Sequence, residues 1–195
     1  HRLWGTDPVG YHAVNLALHA LAAVLLWTLL RRLAVPGAWL AAALFAVHPV
    51  TVESVAWVAE LKNVQSAVLA LLCLLAWLRF DPAAAGEAPP ECRRRYLALA
   101  LLLFAAALLS KPAVVALPAV VALLVWWKRG RLRAADLATL APMAAMSAAM
   151  AVLTLGAEAP VDPATGGAWS ASLVERALIA GRAFVFGQTV LQGGP

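Results

Sequence analysis

His48-Pro49-Val50-Thr51-Val52-Glu53-Ser54-Val55-Ala56-Trp57-Val58-Ala59-Glu60-Leu61-Lys62-Asn63 decides how this 195-residue chain is read. Two carboxylates, a histidine, a lysine and an amide crowd together here, between residues 38–47 and 64–80, which are apolar enough to lie in lipid. A polar island between two such runs reads as a connection at a membrane face, since charged side chains at bilayer depth are costly.

The composition agrees. Hydrophobic residues make up 64% of the chain and charged residues 13%, with a mean hydropathy of +0.83, against about 25% charged in soluble domains. Counted in spans of about 20 residues, the chain holds five or six. The expected fold class is an all-α polytopic membrane helix bundle with an interfacial helix on its outer face. There is no phosphate-cradling glycine loop, nucleophile elbow or zinc motif, which removes the soluble-enzyme classes. Cys73 and Cys92 have neither disulfide-framework number nor metal-ligand spacing.

Working outward, residues 11–30 form a first apolar run closed by Arg31-Arg32, and Pro36-Gly37 makes a turn. Residues 38–47 are short for a span unless 33–35 or 50–58 also lie at membrane depth. Further runs cover 64–80, 96–109, 112–127 and 137–155, and an amphipathic stretch covers 173–186. Ser110-Lys111-Pro112 separates two of these runs, enough for a tight helical hairpin or a kink. If connections alternate sides, Arg31-Arg32, Arg79, Arg93-Arg94-Arg95 and the basic 128–133 segment share one face, cytoplasmic by the positive-inside rule. Residues 1–10, 48–63, 110–111 and 156–172 then lie outside. Trp27, Trp39, Trp77, Trp126 and Trp127 fall near the inner ends of spans, where indoles favour the interface. The net charge of +5 is thus an orientation signal and a contact with the anionic bilayer, with no nucleic acid implied.

Several residues can carry chemistry. On a helix, Glu53, Trp57 and Glu60 share one face, the two carboxylates about 10 Å apart along the axis, too far to share a proton but able to flank a substrate. Lys62 can neutralise Glu60 or hold a phosphate. The plainer reading makes these solvated interface charges, with His48-Pro49 simply ending a span. His12, Asn15 and His19 form a polar intramembrane stripe, for which interhelical hydrogen bonding competes with a metal site that lacks a carboxylate or cysteine partner. Lys111, between two apolar runs, must snorkel outward or meet an anion.

Taken in order, residues 11–20 (Tyr-His-Ala-Val-Asn-Leu-Ala-Leu-His-Ala), 44–50 (Leu-Phe-Ala-Val-His-Pro-Val), 53–58 (Glu-Ser-Val-Ala-Trp-Val), Lys62-Asn63 and 108–112 (Leu-Leu-Ser-Lys-Pro) form a pattern. It resembles the membrane half of bacterial tetratricopeptide-repeat membrane proteins, which are related to the eukaryotic transmembrane and tetratricopeptide-repeat O-mannosyltransferases. The resemblance covers most of residues 3–186 and implies a glycosyltransferase of the C superfamily in a bacterial inner membrane. Such an enzyme transfers a sugar from a polyprenyl-phosphate donor to a protein acceptor on the non-cytoplasmic face. Its catalytic carboxylate is expected upstream of His1 and its repeat domain after the membrane half, so residues 1–186 read as a partial transmembrane domain, inactive alone, and 187–195 as an altered or truncated tail. Within the chain, Glu53 and Glu60 are the catalytic candidates, one of them positioning the acceptor or a divalent metal. His48, Lys62 and Lys111 are candidates for binding the donor phosphate. The family commonly has an arginine where this chain has Leu61. A competing reading is a non-catalytic membrane anchor, or scaffold, for a tetratricopeptide-repeat domain.

Overall fold

The computed structural model describes residues 8–49, 61–81 and 93–157. In chain order they form α1 (Pro8–Arg32), α2 (Ala38–Val47), α3 (Leu61–Phe80), α4 (Arg93–Ser110), a 3-10 segment (Pro112–Ala116), α5 (Leu117–Arg129) and α6 (Ala134–Ala157), with no strand among the described residues. All contacts below lie within one compact unit, His1–Thr154. Four stretches are long and apolar enough to cross a membrane: Val9–Arg32, Leu61–Phe80, Pro112–Arg129 and Ala134–Thr154. The chain is an integral membrane protein built as an all-α polytopic bundle. Helix α4 carries its apolar run behind Arg93, Arg94 and Arg95, and α2 has only ten residues. The interfacial helix expected around Glu53, Trp57 and Glu60 and the amphipathic stretch 173–186 fall outside the described residues, as does Cys92.

The burial pattern is that of a protein dissolved in lipid. Along α1 and the residue that follows it the buried positions are Asn15, His19, Ala22, Leu29 and Leu33, while Leu16, Leu21 and Val24 are exposed. Spacings of three, four and seven put the buried set on one helical face. That face is partly polar and the outward face apolar, as expected when the surrounding solvent is acyl chain and the interior must satisfy polar groups. Helix α3 is the centre, packing on α1 and, most extensively, on α4. Ala100 and Ala107 are fully buried on α4 and flank Phe104, small residues that let the two backbones approach. Cys73, which lacks disulfide or metal-ligand spacing, donates its thiol to the Ala100 carbonyl at 3.2 Å across that contact. Trp77 departs from the interfacial expectation: it is 3% exposed, packs edge-on against Phe80 with centroids 5.3 Å apart, and leaves its indole nitrogen without a hydrogen-bond partner. The reason is the helix it sits on, since α3 is covered on two sides. Trp39, Trp126 and Trp127 are exposed, as an interfacial role requires.

The helix ends follow from local chemistry. Helix α1 closes with a Schellman pair, Val35 N–H to Leu30 O and Ala34 N–H to Arg31 O, both 3.0 Å; Ala34 takes the left-handed conformation (φ 51°) that glycine usually supplies. At the other ends, proline is the device. The residue before a proline is pushed out of the α region, and His48 before Pro49 (φ −67°, ψ 131°) and Lys111 before Pro112 (φ −152°, ψ 116°) are both extended. The connection at 110–112 resolves as a hairpin, because α4 begins and α5 ends beside the C-terminus of α3.

Candidate functional site

Charged residues gather at two ends of the bundle, and the two sets are built differently. At the first, the C-terminus of α3, the start of α4, the end of α5 and the start of α6 converge. Arg129, the last residue of α5, forms a bridge to Asp81 just beyond α3 and a second to Asp136 of α6 at 2.8 Å. Asp136 also accepts from the backbone N–H of Arg133 at 2.9 Å, the reach of an acidic side chain at the third helical position back to the N-cap. Lys128 donates to the carbonyl of Leu33, at the end of α1, where the negative pole of a helix favours a cation. Arg93 donates to the Phe80 carbonyl at 2.8 Å and lies over the Phe80 ring. The basic segments grouped on one side by their alternation along the chain are thus physically together, at what we call the arginine end.

The opposite end carries Lys62 and Lys111. Lys111 Nζ donates to Asn63 Oδ1 at 2.5 Å, joining the α4 hairpin to the first turn of α3. Lys62, the residue before Asn63, is exposed. Lys111 is thus joined to the first described turn of α3 through a neutral amide, and among the described residues no carboxylate pairs with it. Chemically this is an arrangement that receives an anion.

The 3-10 segment that follows Lys111 is held from behind, where Ser147 of α6 donates to the Val115 carbonyl at 2.9 Å. A 3-10 turn leaves backbone acceptors poorly satisfied within itself, and at membrane depth a serine on a neighbouring helix supplies the missing donor. Nothing in the sequence marked Ser147.

The polar stripe on α1 separates. His12 is exposed, whereas Asn15 and His19 are buried. His19 Nε2 lies 3.1 Å from the Ala46 carbonyl of α2, and its ring stacks on Phe45 with centroids 5.3 Å apart. A carbonyl only accepts, so Nε2 carries the proton. Of the two roles open to the stripe, His19 takes the interhelical hydrogen bond. His48 is exposed at the C-cap of α2. Glu53 and Glu60 lie outside the described residues. Among the described residues no group of three or more His, Cys, Asp or Glu gathers closely enough to hold a divalent metal.

The fold and this site define a class: a polytopic helical membrane protein with a cationic, amide-braced end. No family model matches the chain, and no solved structure matches it significantly. Curated relatives do. Protein O-mannosyl-transferase TMTC1 of Mus musculus is 35% identical over 114 residues, 56% of this chain and 12% of that protein. Protein O-mannosyl-transferase Tmtc2 of Drosophila melanogaster is 38% identical over 112 residues, 55% of this chain and 11% of its own length, and Tmtc1 of the same organism is 40% identical over 77 residues. The chain is related to these transferases, and its similarity to TMTC1 spans only 12% of that protein's length.

Proposed function

We propose that this chain forms part of the membrane domain of a glycosyltransferase, in which Lys62 and Lys111 hold the phosphate of a polyprenyl-phosphate sugar whose sugar passes to a protein acceptor. The observation that carries the reading is the Lys111–Asn63 pair at 2.5 Å. An amide oxygen orients the ammonium but does not neutralise it, so the cation stays available to a ligand phosphate, where charge-assisted hydrogen bonds are about twice as strong as neutral ones. Similarity to protein O-mannosyl-transferases supports the reaction class. The positive-inside rule supports an arginine end in the cytoplasm and a Lys111 end on the non-cytoplasmic face.

In this mechanism the residues of the chain bind and orient. Lys62 and Lys111 screen the donor phosphate and stabilise the charge that grows on it as the bond to the sugar breaks. Asn63 fixes the Lys111 ammonium, and the hairpin backbone, braced by Ser147, fixes the lysine's Cα. Glu53 and Glu60 are proposed to position the acceptor. The test is transfer from radiolabelled polyprenyl-phosphate sugars by the full-length protein in membrane vesicles. Lys111→Ala and Lys62→Ala are expected to lose donor use; transfer by both at the parent rate overturns the assignment.

A further inference from the structure

The turn at residues 33–37 folds α2 back against α1, and the two helices leave a groove between them. The bond from His19 to Ala46 sets their register. One helical turn from that bond stand Ala23 and Ala42, and a further turn on stand Trp27 and Trp39. With Ala43 and Ala46 these residues line a space of about 170 Å³. Alanine side chains are too short to close it, and Val24 and Trp39 on its rim are exposed, so the groove opens away from the bundle. In a bilayer the neighbouring solvent is acyl chain, and an apolar lining left unfilled forfeits its dispersion contacts. An apolar space of about 150 Å³ holds a molecule the size of benzene, so this one takes several methylenes of a single chain.

The tryptophan end of the groove is cationic. Arg31 lies over the Trp27 ring, its guanidinium carbon 5.2 Å from the centroid, and a ring face attracts a cation without cancelling its charge. The described carboxylates, Asp81 and Asp136, are both engaged by Arg129. Helix α2, which meets the groove at Trp39, starts from Gly37 with no side-chain cap and no acid in its first turn, so the positive pole of that helix also stands open to an anion. Two indoles, which favour the headgroup level of a membrane, mark the same end. A slot for hydrocarbon thus terminates in positive charge, which is the outline of a lipid with a negative headgroup.

We propose that the groove between α1 and α2 is a binding site for an anionic phospholipid of the surrounding bilayer. One acyl chain lies along Ala23, Ala42 and Ala43 toward the His19–Ala46 bond, and the headgroup phosphate accepts from the Arg31 guanidinium. The site belongs to the arginine end, opposite Lys111, and does not depend on sugar transfer.

The experiment is photocrosslinking of the full-length protein in phosphatidylcholine vesicles doped with phosphatidylglycerol that carries a diazirine in one acyl chain. Mapped by mass spectrometry, the label is expected on residues 23–27 and 39–46. It should exceed the label from the same diazirine on phosphatidylcholine by about fivefold, the weight of one basic residue near an anionic lipid. Arg31→Gln should abolish that preference. Ala43→Leu, which fills the groove and keeps the cation, should reduce labelling by both lipids; if it fails to fold, Arg31→Gln still decides. Arg94→Gln, at an exposed position of α4 at the same end, should leave the groove label unchanged. Equal labelling by the two phospholipids overturns the site, and so does a loss with Arg94→Gln as large as with Arg31→Gln, since surface charge alone would then suffice. Displacement of the label by polyprenyl phosphate but not by unlabelled phosphatidylglycerol overturns it as well, as does cross-linking to a second copy of the chain in place of lipid.

Discussion

The arginine end and the Lys111 end of this bundle hold cations by opposite means. Arg129 sits between two carboxylates with its side chain 16% exposed, and Lys128 is spent on a helix-terminal carbonyl. These are charges that hold helices in place. Lys111 meets a neutral amide instead, so its charge is oriented without being cancelled. The difference teaches which charge is cancelled and which is available: two carboxylates neutralise Arg129, while an amide oxygen only orients Lys111. Substitutions at either end can break this contrast.

The largest effect belongs to the arginine end. Arg129→Ala leaves Asp81, 5% exposed, as a buried charge without its partner, and breaking such a pair costs about 3–5 kcal/mol. Thermal unfolding in detergent should fall steeply, with Asp81→Ala close behind. Replacing both Arg129 and Asp81 with apolar residues should be milder than either single change, because no uncompensated charge remains. Equal stability of Arg129→Ala and the parent would mean that the arginine end is as unspent as the other.

Lys111→Met should show the reverse profile. Its unfolding should stay close to that of the parent, since the lost partner is neutral, while transfer from a lipid-phosphate sugar falls by about 100-fold, the scale of losing one preorganised donor to developing charge. Lys111→Arg should recover part of that rate, because charge is kept and geometry is not. A fall in stability as large as that of Arg129→Ala, with no selective loss of transfer, would erase the distinction between the ends.

How much of this was legible beforehand depends on the range of each interaction. Helix α2 was read at Ala38–Val47 from its apolar run alone, and proline fixed its end and that of α4, because turn chemistry is local. The convergence of the basic segments was legible too, since alternation along a chain is one-dimensional. The pairing of Arg129 with Asp81, 48 positions away, was not. Asp81 read as the start of a polar connection, and only the packing of α3 against its neighbours brings it to Arg129. Asp136 was a nearer miss, for an acid three residues after Arg133 is a visible capping pattern. The contact of His19 with the Ala46 carbonyl, 27 positions away, was legible only as one of two roles open to a polar stripe.

His19 tests the contact between α1 and α2. His19→Ala removes the donor to the Ala46 carbonyl, and interhelical hydrogen bonds in membranes average about 0.6 kcal/mol, up to about 1.7. A value toward the upper end is expected, because a helix-terminal carbonyl loses its partner. His19→Phe keeps a ring to stack on Phe45 and should lose nearly as much. If Phe restores the parent's unfolding temperature, stacking and not the hydrogen bond closes the end of α2.

Ser147 gives the smallest shift and the sharpest reading of the Lys111 end. Ser147→Ala should cost about 0.6 kcal/mol, within reach of careful unfolding measurements, yet it releases the carbonyl of Val115, four residues from Lys111. If the 3-10 segment is what holds Lys111 in register with Asn63, the variant should lose affinity for the donor more than it loses turnover at saturating donor. Ser147→Thr, which retains the hydroxyl, should restore it. A stability change with no change in donor affinity would confine Ser147 to packing and leave the Asn63 amide as the element that aims the lysine.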